Sequence, residues 1–83
     1  MSVAQVVEAC KLYAIFERQG YLFRARVCME IALDNLLKLR QQVGSMTQVM
    51  DMIDKNETKC LRLMKEINTK IKQRTLIKLY RLK

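Results

Sequence analysis

The sequence predicts an all-α protein, an antiparallel three-helix bundle ending in a long basic helix, and three observations carry that expectation. Helix breakers are nearly absent: 83 residues contain no proline and only two glycines, Gly20 and Gly44. Apolar residues recur at i, i+3, i+4 spacing along three stretches of the chain. Hydrophobic residues make up 51% of the chain, too many for a disordered segment. A chain this short forms one domain, residues 1–83. Its core limits stability to about 5 kcal/mol or less before a partner helps.

The first helix is expected over about residues 3–18. Ser2 is its candidate N-cap, because a hydroxyl can accept from an otherwise unpaired amide. Val3, Val6, Val7, Cys10 and Ala14 share one face, which Tyr13 and Phe16 widen. Gly20 ends the helix, since glycine enters the left-handed region without steric cost.

The second helix is expected over about 21–42. Leu22, Ala25, Met29, Ala32, Leu33 and Leu36 form a regular stripe, and the two alanines let a neighbouring helix approach. Val43, Met46, Met50 and Ile53 continue helical spacing, so an extension to residue 54 stays open. Gly44, about 1 kcal/mol worse than alanine inside a helix, marks an end, a kink or a loop.

The third helix is expected over about 57–82, capped by Asp54 or Asn56. Cys60, Met64, Ile67 and Ile71 form its buried stripe. After Ile71 the phase slips, and Leu76, Ile77, Leu79, Tyr80 and Leu82 spread around the helix. A tail that is apolar on more than one side packs on the first helix or seeks another chain, including a second copy of itself.

Charge is unevenly placed. Residues 1–54 hold six Lys/Arg and six Asp/Glu, whereas residues 55–83 hold ten and two, so the whole +8 lies in the last third. An acidic partner follows from that imbalance, be it protein, lipid headgroup or nucleic acid. Lys59, Arg62, Lys65, Lys70, Lys72, Arg74 and Lys78 are the candidate electrostatic residues. Apolar Cys28 and Ile31 on the second helix, with Leu61 and Leu63 on the third, lie beside the main stripes and are the candidate walls of a peptide groove.

Catalysis finds no support: histidine is absent, and there is no glycine-rich phosphate loop, paired acid cluster or nucleophile elbow. Neither a metal nor another cofactor is expected, because Cys10, Cys28 and Cys60 lie far apart and in no paired spacing. They read as small core residues, in keeping with an intracellular protein. Lys59 and Arg62 flank Cys60 and would lower its pKa if it were exposed. No apolar run approaches the length that spans a bilayer.

The second helix carries a resemblance. Gly20, Leu22, Ala25, Met29, Ala32 and Leu33 stand in the register of the glycine-led alanine pattern of the MIT (microtubule-interacting and trafficking) domain, with its two tyrosines replaced by leucine and methionine. Glu17 occupies an acidic position of that pattern, and Ile71, Arg74 and Thr75 resemble the Tyr-x-x-Arg-Ala of its third helix. The stretch between the second and third helices is about three turns longer than is usual there. The resemblance implies an up-down-up bundle that binds acidic or amphipathic tails, typically of ESCRT-III proteins, in grooves beside the third helix. It also implies a cytoplasmic place in trafficking or autophagy, at endosomes or autophagosomes, or docking on a scaffold subunit. The competing expectation is a basic helix on an anionic membrane surface, for which the tail has the right composition. Nucleic acid is the weaker candidate, because the tail lacks polar side chains suited to base edges.

Overall fold

The computed structural model describes residues 3–43 and 47–81 as three helices: α1 Val3–Gln19, α2 Leu22–Val43 and α3 Thr47–Arg81. Ser2, Gly44, Met46 and Leu82, to which the sequence reading gave roles, lie outside the described residues.

Gly20 is where the sequence speaks most directly. Its φ of 84° lies in the left-handed region. The Gly20 amide donates to the Glu17 carbonyl at 3.1 Å, and the Tyr21 amide donates to the Phe16 carbonyl at 2.9 Å. This pair of bonds is a Schellman motif, which satisfies carbonyls that the end of α1 would otherwise leave unpaired. The hydrophobic contact that accompanies the motif is present as well: the Phe16 and Tyr21 rings meet edge-on at 6.4 Å. α2 then starts at once, its first bond running from the Ala25 amide to the Tyr21 carbonyl at 3.0 Å.

The α2 stripe is buried at Leu22, Ala25, Met29, Ala32 and Leu36, joined by Cys28 and Leu39, while Leu33 of the expected stripe is only half-buried. α2 packs against both other helices and is the centre of the bundle. Its two alanines are fully buried on one face, which permits close helix approach along that face.

α1 is rotated from the face expected. Val6, Ala9 and Tyr13 are buried, Cys10 and Phe16 half-buried, while Val3, Val7 and Ala14 are exposed. Periodicity alone admitted both faces. Tyr13 decides between them, because its ring enters the core while its hydroxyl reaches the Leu63 carbonyl of α3 at 3.3 Å.

The larger correction concerns residues 47–56. They neither extend α2 nor form a cap, but are the first turns of α3. Asn56 sits mid-helix and donates to the Met52 carbonyl at 2.9 Å, and the Thr58 hydroxyl does the same to the Asp54 carbonyl. α3 runs antiparallel to α2, so that Ile53 packs fully buried against the bundle, with Val49 and Met50 half-buried. A straight extension of α2 would have left all three in water. Arg40 of α2 clasps the reversed segment, donating to Asp54 at 2.6 Å and Glu57 at 3.2 Å.

α3 is longer than the helices it packs on. Thirty-five residues at 1.5 Å each give about 52 Å, close to the 55 Å long axis of the molecule. Arg74 donates to the Gly20 carbonyl at 2.8 Å, so residue 74 stands level with the α1–α2 turn. Residues 75–81 continue past it by about 10 Å.

Candidate docking surface

The seven cations singled out on α3 divide into two groups. Lys70 pairs with Glu17 of α1, and the hydrogen bond raises the Lys70 pKa. Arg74 is spent on the Gly20 carbonyl and lies close enough to meet a Cβ placed there. These two residues tie α3 to the end of α1. Lys59, Arg62, Lys65, Lys72 and Lys78 are exposed, and among the described residues they enter no ion pair. Lys55 and Arg81, not singled out earlier, are in the same position.

The four apolar residues expected to wall one groove do not share it. Cys28 is buried, and with exposed Ile31 it borders a recess of about 230 Å³ between α1 and α2, opposite Leu12 and Glu8. Leu61 lies on the outer side of α3, in a recess of about 420 Å³ with Met64, Lys65, Asn68 and Lys72. Leu63 is half-buried, and its carbonyl takes the Tyr13 hydroxyl. Four side chains beside their helical stripes point three ways, because the direction depends on which neighbour each helix meets.

The Leu61 recess is one feature, among the described residues, in which an apolar floor and cations outside any ion pair coincide. Leu61 and Met64 supply the floor, and Lys65 and Lys72 stand about one turn and about three turns beyond Leu61 along the same side. Arg26 of α2 reaches toward Asn68, which lines the recess, at 3.5 Å while its guanidinium lies over the Phe23 ring at 5.2 Å. Arg26 also faces Glu30 at 3.8 Å, an ion pair too long for a hydrogen bond.

Cys60 is fully buried, and burial, followed by the neighbouring Cys10 thiol, pushes its pKa up from 9.0 to about 11. Lys59 pulls in the opposite direction but loses, so the activated thiolate that flanking cations might have suggested does not form. Burial likewise raises Cys28. Among the described residues, no group of three or more His, Cys, Asp or Glu is placed to hold a metal ion, and no helix is long and apolar enough to cross a membrane.

Fold and surface together define a small helical-bundle protein with a cation-rich outer helix. The chain belongs to DUF5475, a family of unknown function whose model matches residues 1–82. It is 57% identical over 82 residues to a 9.3 kDa protein of Orgyia pseudotsugata multicapsid polyhedrosis virus, covering 99% of both chains. It is 49% identical over 83 residues to a 9.5 kDa protein encoded in the HE65-PK2 intergenic region of Autographa californica nuclear polyhedrosis virus, covering 100% of both. No solved structure matches.

Proposed function

We propose that this chain is a non-catalytic docking module whose third helix receives an acidic, amphipathic helix from a protein partner. The observation that carries the reading is the Leu61–Met64 recess beside Lys65 and Lys72, two exposed cations that enter no ion pair among the described residues. An amphipathic helix laid there places apolar anchors over Leu61 and Met64 and carboxylates beside the lysines. Charge complementarity speeds encounter and selects acidic partners over basic ones.

The resemblance to the MIT domain supports the same reading and makes an ESCRT-III-type tail peptide the first probe. Action in the cytoplasm, at endosomal or autophagic membranes, belongs to that proposal. The test is an NMR titration of the chain with such a peptide at two salt concentrations. The expected result is a set of shifts centred on Leu61, Met64 and Asn68. The double variant Lys65→Glu, Lys72→Glu is expected to weaken binding by about tenfold or more. Shifts centred elsewhere, or no response to the peptide, would remove this surface as the docking site.

A further inference from the structure

The end of α3 combines exposed hydrophobes and cations in a way the Leu61 recess does not use. The buried stripe of α3 runs through Ile53, Cys60 and Ile67 to half-buried Ile71. At about 100° per residue, the next positions in that direction are Arg74 and Lys78, and the apolar side chains Leu76 and Leu79 turn away from the bundle. Leu76 is 51% exposed, and Ile77 and Leu79 are 55% exposed. Beside them stand Lys78 and Arg81, with Arg18 at the end of α1 facing both across a recess of about 560 Å³. Glu17 is the one acid bordering that recess, and Lys70 already neutralises it.

We infer that this projecting end of α3, residues 75–81, binds the surface of membranes containing anionic lipid. Three exposed aliphatic side chains need an apolar medium, and the cations around them need phosphate or carboxylate groups. The boundary between headgroups and acyl chains offers both, with the lysine and arginine stems lying along the apolar surface and their charges reaching outward. A nucleic acid would satisfy the cations and leave Leu76 and Leu79 in water. A second copy meeting this one through the same end would oppose like charges. With two turns of helix beyond the bundle, binding is reversible, requires anionic lipid and weakens as salt rises.

The experiment is co-sedimentation of the full chain with phosphatidylcholine vesicles, with and without phosphatidylserine. Binding is expected only with phosphatidylserine. Leu76→Ser with Leu79→Ser, and separately Lys78→Glu with Arg81→Glu, are each expected to reduce it by about tenfold. Their circular dichroism should match that of the parent, because these positions lie outside the core. Leu61→Ser should leave vesicle binding unchanged, which separates this surface from the proposed peptide recess. The inference is overturned by absence of binding to phosphatidylserine vesicles, by binding that survives Leu76→Ser with Leu79→Ser, or by tighter binding to a DNA duplex than to the vesicles.

Discussion

The two parts of α3 have similar residue types and opposite fates. From Thr47 to Arg74 the helix lies against α1 and α2, and Ile53, Cys60 and Ile67 are completely buried. Beyond Arg74 the same helix carries Leu76, Ile77 and Leu79, each more than half exposed. Intrinsic helix preference does not separate the two parts. The difference lies in the neighbours: α1 and α2 are joined at Gly20, and Arg74 marks the level at which they stop. A leucine or isoleucine stabilises the fold only where another element takes it out of water.

The sharpest way to probe that contrast is to truncate one side chain in each part. Ile67→Ala is expected to cost about 2–4 kcal/mol, from lost burial and the cavity left behind. Leu79→Ala should change stability by less than about 0.5 kcal/mol. Urea unfolding measures both. Equal losses would mean that the end of α3 is covered in solution.

A smaller effect is expected at the junction. Gly20→Ala forces a β-carbon into a left-handed conformation and brings it within 3.4 Å of the Arg74 guanidinium. The expected loss is about 1–2 kcal/mol, with the thermal midpoint as readout. An unchanged midpoint would show that the Schellman turn does not hold the two helices in place.

Stability should also vary with pH on the alkaline side. Burial raises Cys60 to about 11 and also raises Tyr13, and the Glu17 contact raises Lys70. Each folded-state pKa thus exceeds its unfolded value. The corresponding stability is complete below the unfolded pKa and is lost as pH rises through the folded one. Cys60 goes from 9.0 when unfolded to about 11 when folded, and buried Cys28 is raised from the same starting value, so the denaturation midpoint should be insensitive to both near neutrality and fall above about pH 9. Cys60→Ala should reduce that fall. A midpoint that stays level to pH 11 would contradict this account of the Cys60 site.

Much of the core could be read residue by residue. The α2 stripe, the stop at Gly20, and the inward places of Cys60 and Ile67 follow from spacing, because a helical period leaves them one common face. α1 was less legible: Val3 and Val7 fit the period as well as Ala9 and Tyr13 do, and only the position of the Leu63 carbonyl distinguishes them. The expected peptide groove failed for a related reason. Cys28, Ile31, Leu61 and Leu63 share a position relative to their stripes, but their helices meet different neighbours. The division of the cations was also hidden, since Lys70 and Arg74 are 53 and 54 residues from Glu17 and Gly20.

The sequence by itself determined that this protein is helical, that the chain turns at Gly20, and that its positive charge belongs to the last helix. Composition, glycine conformation and charge placement are local properties, set before any two helices meet. The tertiary structure decided where α3 begins, which face of α1 is buried, which cations are used within the fold, and which hydrophobes are left outside it. Those outcomes depend on the length of one helix relative to its neighbours. A leucine is core or surface according to whether another segment reaches it, and no periodicity within its own helix records that.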